Sequence, residues 1–242
     1  DYIGFVDSDD WIEPDMYESL MMRIDETGKD IAVCSYYSIE VSGERNECRC
    51  ITDKGAVCKD DYFRFIVLGG EGGYIWNRLY RADIVKRVRF DENIWYSEDL
   101  LFNFKAAQKS NGAAVLDKAE YNYVQKRIRE QAWIMDDHSF DSMTAFEIML
   151  SYKDIPEDVY DCCLTGYAAA AFTLLSGVLT NEKYFYKYND IRFAILNFKK
   201  RILTQKKYPL KYKVKTLALW LCPGFYNFMI RGIRKARDKK AD

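Results

Sequence analysis

With 242 residues, 49% of them hydrophobic and 16% aromatic, the chain has material for a large buried core, which excludes a disordered polypeptide. A formal net charge of −1 excludes a general nucleic-acid binder. A single histidine argues against a Ser-His or Cys-His catalytic pair, and seven cysteines, an odd number, read as reduced thiols of a cytoplasmic protein.

The chain opens with Tyr2-Ile3-Gly4-Phe5-Val6, an apolar run that predicts a fully buried strand of a parallel sheet over residues 2–7. Asp7-Ser8-Asp9-Asp10 follows directly. Carboxylates clustered at the end of a buried strand are costly unless something positive sits there. In open α/β sheets, ligands bind beyond the carboxyl ends of the strands. A plain turn or a helix cap is the alternative reading of these acids.

Pro14 and Gly28 bracket a helix on which Tyr17, Leu20, Met21 and Ile24 share one face. Residues 30–41 predict a strand, and 42–59 a hairpin or loop insertion. A short helix, a Gly-rich connector at 69–73 without a P-loop ending, and another helix fill residues 60–88. Ser97 reads as the cap of a helix with Glu98 and Asp99 in its first turn and Gly112 at its end. Residues 113–125 read as a strand, with room for a second short one. From about residue 126 the segments are helical. No run of eighteen apolar residues points to a spanning helix. Cys48, Cys50 and Cys58 make a poor zinc site, because the spacing is unusual and a fourth ligand is not evident. His138 reads as a polar residue at a helix start.

Two acidic clusters about ninety residues apart carry more meaning together than either does alone. Four stretches, GFVDSDDWIEPDMYE, WNRLYRADIV, RFDENIWYSEDLLFN and AEYNYVQ, resemble family 2 glycosyltransferases of the GT-A fold, of the bacterial polysaccharide type, in order and spacing. The resemblance covers roughly residues 1–126. It implies an α/β fold: a partial GT-A (Rossmann-like) sheet domain over 1–126, followed by an α-helical C-terminal module over 127–242. It further implies inverting transfer of a sugar from a nucleotide-sugar donor to a hydroxyl of a saccharide or lipid-linked saccharide acceptor, with no nucleic acid involved. By resemblance, Asp7 lies near the ribose and the metal's waters, Asp9 ligates Mg²⁺ or Mn²⁺, and Asp10 supports them or serves as an alternative ligand. Asp99 becomes the base that takes the acceptor proton, with Glu98 orienting the acceptor or a loop. Trp76, Asn77 and Arg78 would line the donor or acceptor pocket, Arg78 on a diphosphate oxygen and Trp76 on a sugar. Equally, Trp76 reads as core and Arg78 as a bridge to a surface acid.

The Pro-x-Tyr-Asn-like and Asp-Asp-Gly-Ser-like motifs with which the family binds the nucleoside do not occur in this sequence. The expectation is therefore a fragment without the nucleoside half, inactive alone. A non-catalytic remnant serving as a binding or scaffold module is the competing reading, and a phosphatase-like hydrolase with Asp7 as nucleophile is a third.

From Lys199 onward there are fourteen Lys/Arg against two acids, Asp238 and Asp242, beside an apolar run from Leu217 to Ile230. This composition suits a helix in a membrane interface, at the inner face of the cell membrane. The alternative is that the apolar residues pack inward and the charges are a solvated face, since Pro223-Gly224 divides the stretch.

Overall fold

A computed structural model describes residues 1–49, 55–68, 73–125 and 135–241. The chain divides into two compact units, one of Asp1–Ile134 with Thr144–Cys163, the other of Met135–Met143 with Leu164–Asp242.

The first unit is a seven-stranded mixed sheet with helices. Its elements run β1 (Tyr2–Gly4), β2 (Trp11–Ile12), α1 (Met16–Thr27), β3 (Ile31–Ile39), β4 (Arg45–Cys48), β5 (Ala56–Cys58), α2 (Lys59–Leu68), β6 (Arg78–Arg81), α3 (Ala82–Val85), α4 (Glu98–Lys109) and β7 (Gly112–Val124). The main path through the sheet is β1-β6-β3-β7-β2, with β4 on β3 and β5 on β7. Among the described residues only the β3–β7 pair is parallel. These two long strands hold the most β-branched, aromatic and small apolar residues and form the centre.

The opening strand differs from its expectation. It is short, antiparallel to β6, at the edge of the sheet and only partly buried. Its apolar residues gave no means of telling an edge from a centre. Residues 78–85, expected within a helix, form β6 and one helical turn, because Leu79 and Tyr80 pair with Ala32 and Ile31. The buried stripe of α1 is Met16, Leu20 and Ile24, while Met21 is exposed. This stripe packs with Cys34, Tyr36, Trp76, Leu79 and Tyr121 in one core. Tyr74 and Tyr121 stack against the Trp76 ring at centroid distances of 4.6 and 4.4 Å, and Tyr36 meets it edge-on at 4.9 Å.

The second unit is helical. Among the helices of the C-terminal part are α5 (Asp141–Ser151), α6 (Glu157–Val178), α7 (Tyr188–Asn197), α8 (Lys199–Thr204), α9 (Leu210–Leu221) and α10 (Pro223–Ala241). By length and composition α6 is apolar enough to cross a bilayer, but most of its apolar window is buried inside the protein, as in a core helix. Phe172 of α6 stacks on Tyr212 of α9, and Arg231 Nε of α10 donates to the Leu179 carbonyl at 3.1 Å. Among the described residues no disulfide links the cysteines, and Cys50 of the weak zinc trio lies outside the described residues, as do residues 69–72 of the Gly-rich connector. His138 sits in a single 3-10 turn, Asp137–Phe140, 3.4 Å from Asp141.

Two glycines with positive φ separate backbone freedom from space. Gly28 (φ 63°) ends α1 with open surroundings, while Gly112 (φ 115°) begins β7 with a would-be Cβ only 2.2 Å from the Val57 carbonyl oxygen. Gly28→Ala should therefore cost about 1 kcal/mol. Gly112→Ala should cost on the order of 3 kcal/mol, because strain and a backbone clash add. Urea unfolding of the two variants, followed by far-UV circular dichroism, checks this. Equal losses would show that the β5–β7 contact yields easily.

Candidate functional site

Beyond β1 the chain turns sharply: the Asp10 N–H donates to the Asp7 carbonyl at 3.2 Å. The side chains of Asp7, Ser8 and Asp9 are left exposed. Tyr121 of β7 holds this turn. Its hydroxyl donates to Asp10 Oδ2 at 2.7 Å and accepts the Asp7 N–H at 3.1 Å. The Val124 N–H donates to Asp10 Oδ1 at 2.8 Å. Burial, reinforced by the Asp10 and Asp7 charges, pushes the Tyr121 pKa up, so the phenol stays a donor. The exit from the turn is fixed as well, by β2 pairing with β7 and by Glu13 N–H to the Glu120 carbonyl at 2.8 Å. Both oxygens of Asp10 are thus engaged in shaping the turn.

The second acidic cluster opens α4. Ser97 does not cap it through its side chain. It takes a left-handed conformation instead (φ 71°), the only non-glycine to do so among the described residues. Such strain persists where surrounding structure enforces it, and it gathers at functional positions. Glu98 and Asp99 follow in the first turn, where the helix dipole favours negative charge. Burial nevertheless wins at Asp99. Loss of solvent, with the Glu98 and Asp7 charges adding to it, pushes the Asp99 pKa up to about 7. The Arg78 charge and a hydrogen bond from the Ile75 N–H act in the opposite direction. The effect of Asp7 on Asp99 brings the two sequence clusters into one electrostatic environment.

Asn103, one turn along the same face of α4, organises the support. Its amide donates to the Gly73 and Tyr74 carbonyls at 2.7 and 2.9 Å, and its oxygen accepts from the Tyr80 hydroxyl at 2.6 Å. This fixes the segment that presents the Ile75 N–H to Asp99. Arg78 lies wholly buried, with Nε on the Tyr62 hydroxyl at 3.1 Å and Nη1 on Asn77 Oδ1 at 2.7 Å. Asn77 in turn donates from Nδ2 to the Cys34 carbonyl at 2.8 Å.

Trp76, Asn77 and Arg78, read from sequence as pocket lining or, equally, with Trp76 as core and Arg78 as a bridge to a surface acid, are interior residues. The Trp76 indole is occupied by its aromatic neighbours, and Asn77 bonds to β3. Sequence reasoning missed Tyr121, Asn103, Tyr62 and Tyr80. The available signal was a polar atom at a position whose pattern demanded burial: Asn103 stands among Leu101, Phe102 and Phe104, and Tyr121 shares the inward face of β7 with Ala119.

Residues 1–88 match the family model described as Glycosyl transferase family 2. The "Putative glycosyltransferase EpsH" of Bacillus subtilis (strain 168) is 29% identical over 129 residues, 51% of this chain and 37% of that protein. The "Uncharacterized glycosyltransferase EpsJ" of the same organism is 30% identical over 134 residues, 50% of this chain and 37% of that protein. The chain thus spans little more than a third of the length of these curated relatives. Among solved structures, S. aureus TarS 1-349 in complex with UDP-GlcNAc superimposes with a TM-score of 0.61 at 20% identity, covering 97% of this chain and 68% of that one. The sheet with its helices and the helical part that follows match GT-A glycosyltransferase structures. Residues 1–88 of this chain are thus similar to glycosyl transferase family 2, and the chain carries a GT-A-type fold.

Proposed function

We propose that this chain carries the metal and acceptor-activating side of an inverting glycosyltransferase, which moves a sugar from a nucleotide-sugar donor to a saccharide or lipid-linked hydroxyl in bacterial cell-surface polysaccharide synthesis. One observation supports the reading above others: an exposed carboxylate turn lies within electrostatic reach of Asp99, a carboxyl group whose pKa has been brought to about 7. UDP-GlcNAc in the similar TarS structure supports a nucleotide-sugar donor.

A hydroxyl is a weak nucleophile at neutral pH. A base matched to the working pH can take its proton during attack, contributing about 10²–10⁴-fold. Asp99 has the matched proton affinity and, through Ile75, a fixed orientation. In the transfer, the acceptor oxygen bonds to the anomeric carbon as its proton passes to Asp99. The bond to the donor's phosphate oxygen breaks, and its electron pair leaves with the nucleoside diphosphate. Inversion follows from this single displacement. Asp7 and Asp9 offer oxygen donors suited to Mg²⁺ or Mn²⁺, which typically bind one or two carboxylates and complete their coordination with phosphate and water. Among the described residues no group of three or more His, Cys, Asp or Glu is placed to hold a metal ion. When bound, the cation would offset charge growing on the leaving diphosphate. Tyr121 and Asp10 keep the turn in shape, and Glu98 sets the potential around Asp99.

Three outcomes follow. Asp9→Ala in the intact protein should abolish metal-dependent transfer while leaving the fold unchanged. Manganese titration by electron paramagnetic resonance should show the lost ligand, and unaltered affinity with unaltered turnover would remove Asp9 from the site. Tyr121→Phe keeps the ring stack and loses the anchor, so manganese affinity should fall about 10–100-fold, with a stability loss of only about 1 kcal/mol. A stability loss with normal metal affinity would make Tyr121 purely structural. Asp99 also carries a stability signature. Its folded pKa lies above the usual carboxylate value, so the folded chain holds the proton more tightly than the unfolded one. Its contribution is full below about pH 4 and is lost as pH rises through about 7. Asp99→Asn should therefore stabilise the protein at pH 8 relative to pH 5, by roughly 2 kcal/mol after allowance for screening, while transfer is lost. Melting curves at the two pH values measure this, and a pH-independent difference would contradict the shifted pKa.

A further inference from the structure

We propose that α9 and the first half of α10 form a docking face for an anionic lipid surface. On α9, Leu210, Val214, Leu217 and Leu221 are all exposed, Leu210 by 74%. At 3.6 residues per turn they fall within about 60° of arc, a continuous apolar stripe. The opposite side of the helix, Tyr212, Thr216 and Leu219, is buried. The unit therefore already has its packing contacts on that side, and the outward stripe serves none of them. Pro223 starts α10 immediately afterward, where Phe225, Phe228 and Ile233 are exposed, Phe228 by 76%, while Tyr226 is buried. The Pro-Gly step therefore divides two helices without removing the amphipathic character of either.

Charge identifies the occupant. Between Ile191 and Arg237 the sequence holds thirteen Lys/Arg and no acid. Lys211 and Lys213 stand on either side of the α9 stripe by helical position. A second copy of the chain would press two rims of the same sign together, which opposes association. An anionic bilayer supplies a negative surface for the cations and an apolar layer for the stripe, at a depth of about 5–10 Å. Each cation near such a surface strengthens partitioning roughly fivefold before screening.

Flotation of the full chain with vesicles of phosphatidylcholine alone, or of three parts phosphatidylcholine to one part phosphatidylglycerol, tests the proposal. Binding to the anionic vesicles should exceed binding to neutral ones by at least about tenfold and weaken as salt rises. Leu217→Glu with Phe228→Glu should remove it without changing the melting temperature, since both positions are exposed. Should that pair disturb folding, Lys211→Glu with Lys213→Glu decides by the same readout. Absence of binding, equal binding to neutral vesicles, or unchanged binding in the variants would overturn the proposal. So would stripe variants that dissociate an oligomer, measured by light scattering, without affecting flotation.

Discussion

One phenol hydroxyl holds the acidic turn to the sheet. Tyr121 reaches from the most buried part of β7, where its ring stacks on Trp76, to the Asp7 amide and the Asp10 carboxylate. A run of four residues with three carboxylates would repel itself open in water. Here one of the three, Asp10, is turned inward onto Tyr121 and Val124, which leaves Asp7 and Asp9 to face outward from a defined position. The aromatic core thus helps to shape the acidic turn, because the stacked ring determines where the hydroxyl sits.

The same economy of support recurs at α4. A carboxyl group with a pKa near neutrality requires burial without full neutralisation. Asp99 receives an amide hydrogen bond and the distant charge of buried Arg78, enough to keep it in place but too little to return it to an ordinary carboxylate. Asn103 and Tyr80 fix the segment on which that balance depends. Small changes in any of these would move the pKa while leaving the fold intact.

Much of this was legible in the sequence, and the remainder was hidden for specific reasons. The helices at α1, α2 and α4 and the long strands β3 and β7 follow from apolar period and terminal residues. The two acidic clusters were visible as charges placed against apolar runs. The edge position of β1 was not, since a three-residue apolar strand reads alike at an edge and at a centre. β6 was read as helix because Trp76-Asn77-Arg78-Leu79-Tyr80 has no strong period, and pairing with β3 decided it. The interior placement of Trp76 and Arg78 depends on tertiary neighbours, Tyr74, Tyr121 and Tyr62, that sequence spacing cannot bring together. In the tail, composition showed a basic amphipathic segment, but only the packed structure tells which side of α9 is already used.

The central claim is that the two acidic clusters form one site, with Asp7 acting on Asp99. The most direct measurement is the Asp99 pKa, read from its carboxyl ¹³C shift across a pH titration, in the wild-type chain and in Asp7→Asn. A wild-type pKa near 7 that falls when the Asp7 charge is removed is the predicted result. An Asp99 pKa that stays the same in the variant, or that lies at the ordinary carboxylate value in both proteins, would contradict it.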